Sequence, residues 1–556
     1  MINTNILSLF PVDYKSNLLP KFINAIFARL DKKVKQEDSR IAGKFSIETY
    51  NILTKKYSEL PLICENPTTI VCNIAEDFFQ GIPRWRSPYL QYTVGAAVNT
   101  AASALYSIAL DENVYNINSG LAGNCLAAEQ AVTSILSKLA NIQKEAYGLF
   151  TFGGTATNLY AIKVGTRKAA PLSGQNGLPK NMKLLLTEDS HFSHSVAADW
   201  LGIGTNNIVT IKANKDRTTN IQDAEKKMNF LIEQKNLIPT IIINGGTTYS
   251  HTVDDIEAFV KLRDSLVKKF NLNYKPHIHV DSVIGWVWLF FSEYDFEKNH
   301  LQIGKKTLEA IKNQYEKIKN ICTADSWGID FHKGVGACPV DCSVFMCNNK
   351  KDLVLLSKTS NPAMDTHQLA QEFSFLNPSE YTLETSRAGA ASLSALASIH
   401  TLGLDGYRRN LANLIEFTIK FKDITKNRFD IAVLNYNSNG YVSMLRLYPP
   451  NMSKEKYEEK ERNDERNQIY SATEIINKYN KTFFEWDFQN KNCHNKHECS
   501  FTSSYIISPA GCKIAALKFY PVSPHTKVSM AKNIAESLIE AKCKFDKHIW
   551  NKRNKI

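Results

Sequence analysis

The stretch GLFTFGGTATNLYAIKVGTRKA, residues 148–169, decides the fold. A short run of strand character, Gly148 to Phe152, ends at Gly153-Gly154, and a helix opens near Thr155. Glycines let a backbone approach a ligand closely, and a helix N-terminus offers unpaired N–H groups and a partial positive charge to an anion. The same strand-then-helix rhythm continues downstream. KLLLTE (183–188), NIVTIK (207–212), TIIIN (240–244), HIHVD (277–281) and SVFMC (343–347) are short apolar runs separated mainly by helical stretches. Buried parallel strands read as such continuous runs, because helices cover both faces of their sheet. The middle of the chain is therefore expected to be α/β, with a mainly parallel sheet flanked by helices.

Outward from this unit the texture changes. Residues 1–95 are expected to form a helical segment, with Phe22, Ile23, Ile26, Phe27 and Leu30 at helical spacing and the Pro-punctuated GIPRWRSPYLQY (81–92) at its end. A large domain then spans 96–385. Residues 386–556 fit a smaller α+β domain: an Ala-rich helix (388–402), the alternating YVSMLRLYP (441–449), an exposed charged stretch from Ser453 to Arg466 and an amphipathic end, Val528–Trp550. With 556 residues, 43% of them hydrophobic, the chain is neither disordered nor a disulfide scaffold. Its net charge of +12 is spread along the length without a block of like charges, so no nucleic-acid partner is expected. No apolar run is long enough to span a bilayer, and the opening residues do not read as a secretion signal. The eleven cysteines fall mostly in apolar stretches, which suits reduced thiols and a cytoplasmic location.

Three more segments join the Gly-Gly turn. His191, in EDSHFSHSVAADWLGIG, follows the KLLLTE run at the sheet edge where α/β proteins bind ligands. Asp281 closes HIHVD, and a carboxylate after Ile278 and Val280 is costly to desolvate unless a cation meets it. Lys333, in ADSWGIDFHKGVGACP, lies among Phe331, Val335 and Ala337, surroundings expected to depress its pKa and suit it to Schiff-base chemistry. Together they match the needs of pyridoxal 5'-phosphate: a helix N-terminus for the phosphate, a lysine for the aldehyde, an acid for the pyridine nitrogen and a flat partner for the ring.

In this order, GGTATN, the His191 segment, HVDS and DFHKG resemble the group II pyridoxal-phosphate amino-acid decarboxylases, the family of glutamate, aromatic amino acid and tyrosine decarboxylases. PRWRSPYLQY and ETSRAGAASLSALASIHTLGLDGYRR resemble segments flanking that family's core. The resemblance implies an aminotransferase-like fold type I with a seven-stranded sheet, and decarboxylation of an L-amino acid to its amine and carbon dioxide. It also implies a homodimer with its sites at the subunit interface. Residue by residue, Lys333 forms the Schiff base, Asp281 pairs with the pyridine nitrogen and His191 stacks on the ring. Ala156, Thr157 and His332 hold the phosphate, Thr248 sits beside the ring, and Arg387 lies near the substrate carboxylate. Trp85, Tyr89 and Tyr92 are candidates for the side-chain pocket, with packing at a domain junction the competing reading.

Three departures bear on this expectation. The family's Asn-Pro-His-Lys reads Asp330-Phe331-His332-Lys333, which puts an extra carboxylate near the phosphate unless it meets a cation. Asp-Ala-Ala reads Asp281-Ser282-Val283. The segment 357–375, where many family decarboxylases carry a tyrosine that protonates Cα, has none, and His367 is the candidate in its place. That loss keeps oxidative decarboxylation–deamination, carbon–carbon lyase chemistry and a non-catalytic homologue open as alternatives. CHNKHEC (493–499) offers Cys493, His494, His497 and Cys499, but their spacing suits a polar loop better than a zinc site, and no metal is expected.

Overall fold

The computed structural model describes residues 7–35, 38–62, 65–142, 147–357, 375–490 and 496–550. After a two-residue strand, β1 (Leu90–Gln91), the central sheet is built from β2 (Tyr147–Thr151), β3 (Leu184–Thr187), β4 (Ile208–Ile211), β5 (Thr240–Asn244), β6 (His277–Asp281), β7 (Ser326–Asp330) and β8 (Ser343–Cys347). Their order is β2-β8-β7-β6-β5-β3-β4. Every residue of β2, β3 and β5–β8 is buried, as a sheet covered on both faces requires, whereas β4 is a half-exposed edge.

Two expectations need correcting. β8 runs antiparallel to both β2 and β7, so SVFMC is not a parallel strand. SWGID, read only as part of the lysine motif, is the seventh strand, pairing β6 through His279↔Ser326 and Asp281↔Gly328.

The N-terminal helices are α1 (Leu19–Asp31), α2 (Ile47–Lys56) and α3 (Pro67–Phe78). Next come α4 (Thr100–Asp111), α5 (Leu126–Leu139), α6 (Gly154–Ala169), which lies across the central sheet, and α7 (Ser193–Trp200), packed on α6. The long α8 (Ala390–Lys426), bent at Gly403, packs on α4 and on the last helix, α9 (Met530–Phe545). A second sheet, β9 (Ile431–Val433), β10 (Ser443–Leu447), β11 (Glu498–Ile507) and β12 (Lys513–Phe519), takes β1 as its edge strand. The charged stretch is helical over Lys454–Asn463, but it is not wholly exposed: Glu461 is buried in an ion pair with the fully buried Arg446.

These layers bring the sheet's C-terminal edge to one place. Gly285 passes so close to the turn after β5 that a Cβ there would fall 1.8 Å from the Gly245 carbonyl oxygen. The buried Trp286 donates its indole N–H to the Asp330 carbonyl at 3.2 Å and fixes the end of β7.

Candidate active site

Lys333 follows β7 by three residues, and its Nζ forms an ion pair with Asp330 Oδ2 at 2.8 Å. Asp330 is fully buried. Its Oδ1 accepts from Ser343 Oγ at 2.5 Å, and His332 Nε2 lies 3.6 Å from Oδ2. A Cβ on Gly154 would stand 2.7 Å from Oδ2, so the carboxylate is pressed against the first turn of α6. The extra carboxylate thus has its cation in Lys333 and a favourable helix end besides. The expected depression of the lysine does not occur. Burial pulls its pKa down, but the neighbouring charges of Asp330 and Asp281 outweigh it, and the net shift is upward.

Asp281, at the end of β6, feels the same lysine. Burial alone would raise its pKa. His194 Nε2, 2.6 Å from Oδ2, and the nearby Lys333 instead hold the carboxyl well below the usual range. Asn158 Nδ2, at 3.4 Å, makes a longer contact with the same oxygen. His191 is half-buried, with Nδ1 2.8 Å from Ser193 Oγ and its ring centroid 4.3 Å from that of Phe192. Burial, with help from Lys333 and His194, lowers its pKa to about 4, so it offers a neutral flat ring.

The buried imidazoles carry a pH prediction. Burial lowers His251 and His279 to about 3, as it lowers His191. Between these values and the ordinary imidazole value of 6.5, the unfolded chain binds protons that the folded chain does not. Stability therefore rises with pH across that window and is lost as pH falls through it. Scanning calorimetry is expected to show a melting temperature that drops steadily below pH 6.5, and a flat profile down to pH 4 would contradict it.

Backbone pairing delivers the GIPRWRSPYLQY segment to the lysine. Gly95 bridges Lys333, Ala96 N–H donates to the His332 carbonyl at 3.1 Å, and the Trp85 indole covers Gly95. Tyr92 instead lies under the Arg40 guanidinium, 5.2 Å from its ring centroid. Ala156 is buried in the first turn of α6. The Thr157 hydroxyl donates to the Gly154 carbonyl at 2.7 Å and faces Gly328. Thr248 is half-buried on the loop after β5.

Arg387 requires a correction. It is buried against Glu129, donating from Nη2 to Oε1 at 2.8 Å and to the Phe150 carbonyl at 2.8 Å. Nη1 donates to the Asn116 carbonyl at 3.0 Å and to Glu129 Oε2 at 3.3 Å. Both terminal nitrogens are committed to the protein, which leaves neither free for a substrate carboxylate. His367 lies outside the described residues, as do Cys493 and His494. His497 Nδ1 is 2.8 Å from Ser537 Oγ, and Cys499 is buried in β11.

The sequence reading missed His194 and Asn158. His194 lies three residues after His191, in the first turn of α7, and Asn158 follows Thr157 on α6; both spacings are visible once Asp281 is taken as the centre.

The donor set fits pyridoxal phosphate. An amine and an ionised carboxylate share one buried edge, the neutral His191 lies beside them, and Gly153-Gly154 keeps side chains away from the helix end. The fold is that of fold type I pyridoxal-phosphate proteins. A family model, the pyridoxal-dependent decarboxylase conserved domain, matches residues 51–444, and the chain belongs to that family. It is 26% identical over 300 residues to an L-tyrosine decarboxylase of Enterococcus faecium, covering 51% of this chain and 46% of that protein. It is 28% identical over 291 residues to an L-aspartate decarboxylase of Thermococcus kodakarensis, covering 52% and 62%. The chain thus spans about half the length of the curated relatives it matches. In fold it is similar to Oryza sativa TDC, solved with PLP and tryptamine, with a TM-score of 0.74, 13% identity, and coverage of 96% of this chain and 99% of that one. Among the described residues no helix is long and apolar enough to cross a membrane.

Proposed function

We propose that this chain decarboxylates an L-amino acid to the corresponding amine and carbon dioxide with pyridoxal phosphate carried on Lys333. The observation behind the reading is the lysine amine set 2.8 Å from Asp330 with Asp281 close enough to act on its charge. When bound, the cofactor supplies an electron sink for the pair left behind as a bond to the substrate Cα breaks. The chain does the rest. Asp281, kept ionised, holds a proton on the ring nitrogen, and His191 supports the ring face. The N–H groups of the first turn of α6, around Ala156 and Thr157, receive the phosphate, with His332 nearby and Thr248 on the adjoining loop. Asp330 Oδ2 pairs with the Lys333 Nζ and fixes where the amine stands. The Trp85 indole bounds the space beside the lysine.

A panel of about twenty amino acids, the ordinary proteinogenic set, tests this reading. Stoichiometric amine and carbon dioxide are the expected products. Aldehyde and ammonia with oxygen consumed would replace it with oxidative decarboxylation–deamination.

A second copy of the chain is the partner this reading needs. α1 and α2 bury no residue, and Phe27 is 65% exposed, Ile52 59%. Such apolar faces suit a subunit interface. Light scattering is expected to give the mass of two chains, and Phe27→Glu with Ile52→Glu to shift it towards one. The cysteines among the described residues are free, in keeping with a cytoplasmic setting.

A further inference from the structure

The three polar residues of β6 share one face of the strand. His277, His279 and Asp281 alternate with Ile278 and Val280, and both histidines are fully buried between the sheet and α6. Burying two imidazoles in a strand is costly unless they are bonded. Their contacts form a line. Lys168, at the far end of α6 and paired with Asp352 at 2.5 Å, lies 3.1 Å from His277 Nδ1. His277 Nε2 is 2.6 Å from Ser326 Oγ, and the same hydroxyl is 2.8 Å from His279 Nδ1. At the other end His194 Nε2 meets Asp281 at 2.6 Å.

The proton positions follow from the two ends. An ammonium only donates, so His277 Nδ1 accepts and the proton of this ring is on Nε2. That proton goes to Ser326, whose own proton goes to His279 Nδ1, leaving His279 with an Nε2–H. At the far end a carboxylate only accepts, so His194 donates from Nε2 to Asp281. Two atoms on the line, His279 Nε2 and His194 Nδ1, are buried without a partner. The two rings act on each other electrostatically. A buried polar atom is nearly always bonded.

We propose that a buried water joins these two atoms, so that Lys168, His277, Ser326, His279 and His194 form one hydrogen-bond line, and that His194 and His279 are positioning residues that orient Asp281 for the ring nitrogen. This rests on the cofactor reading above and extends it to residues that do not touch the cofactor. A line polarised from a cation towards a carboxylate strengthens its last bond and fixes its tautomers.

The test compares two ligands on the full chain by tryptophan fluorescence: pyridoxal phosphate, and its carbocyclic analogue with C–H in place of the ring nitrogen. His194→Leu is expected to weaken pyridoxal phosphate binding by roughly tenfold or more while changing the analogue by less than about twofold. His194→Gln, which keeps a donor near the Nε2 position, should restore most of the loss. His279→Phe should act in the same direction but less. Equal weakening of both ligands by His194→Leu, as a merely structural role would give, overturns the proposal, as does no change in either. Should the leucine variant fail to fold, Ser326→Ala carries the same comparison, with selective weakening in support and indifference against. A wild-type chain that binds neither ligand overturns the cofactor reading itself. Binding by wild type with indifferent variants overturns the line alone.

Discussion

Lys333→Ala is expected to leave the protein, after incubation with pyridoxal phosphate and desalting, without the near-visible absorption band of the wild type, and to lower turnover by roughly a thousandfold or more. The reason is local. Lys333 is the amine that stands between the two buried carboxylates of the site, 2.8 Å from one and within electrostatic reach of the other. Among the described residues no other lysine pairs with Asp330, so none stands ready to take over the bond to the aldehyde. The variant also leaves the Asp330 carboxylate fully buried with the Ser343 hydroxyl, His332 at 3.6 Å and the end of α6 in place of its lysine partner. Its cofactor-free form is therefore expected to melt below the wild type, by the cost of an unpaired buried charge. Lys333→Arg separates the two effects. A guanidinium can restore the ion pair and the melting temperature, but it cannot form the covalent bond, so the absorption band stays absent. A yellow Lys333→Ala protein with undiminished activity would remove the basis of the proposed function.

Much of this site is legible in the residues themselves, for physical reasons. Asp281 ends a run of buried character, and a carboxylate there demands a cationic or donating partner. The strand alternation in HIHVD places His279 on the same side as Asp281, and the Gly-Gly turn announces the approach of a helix end. What sequence cannot convey is the partner's identity when it comes from another element. The expectation of a depressed Lys333 pKa weighed apolar neighbours along the chain. In space, the nearest group is Asp330 three residues earlier, turned back by the end of β7, and electrostatics at that distance outweighs burial. His194 illustrates the same limit. Its sequence position reads as one more polar residue on a short helix, yet the packing of α7 on α6 directs its ring to Asp281.

The fold shows a matching pattern. Runs such as TIIIN are unambiguous because every residue is buried, but SWGID has a glycine and a serine and lacks the continuous apolar signature, so it is recognised as a strand only by its pairing with β6 and β8. The direction of β8 could not be read from SVFMC either, since a strand buried on both faces has the same composition whichever way it runs.

Arg387 is where a motif and its surroundings diverge most, and its partner carries a large expected effect on stability. Glu129→Ala is expected to destabilise the fold by about 3–5 kcal/mol, the usual cost of breaking a buried ion pair from one side. The carboxylate is 1% exposed and serves three donors at once. It accepts from Arg387, from Asn116 Nδ2 at 2.6 Å and from the Phe150 N–H at 2.7 Å. Removing it strands a guanidinium and two further donors in the interior. Phe150 lies in β2, which leads directly into Gly153 and the start of α6, so the damage reaches the end of the sheet that holds the site. The double variant Glu129→Leu/Arg387→Met decides what the arginine does. With both charges replaced by apolar groups of similar size, most of the stability should return, because the desolvation cost disappears together with the pair. If Arg387 is only the partner of Glu129, KM for the amino-acid substrate stays within about twofold of wild type. An arginine that bound the substrate carboxylate would give the opposite result: chemical denaturation would show recovered stability, while KM rose by roughly a hundredfold for the loss of a buried charged contact. The four contacts made by its terminal nitrogens point to the first outcome.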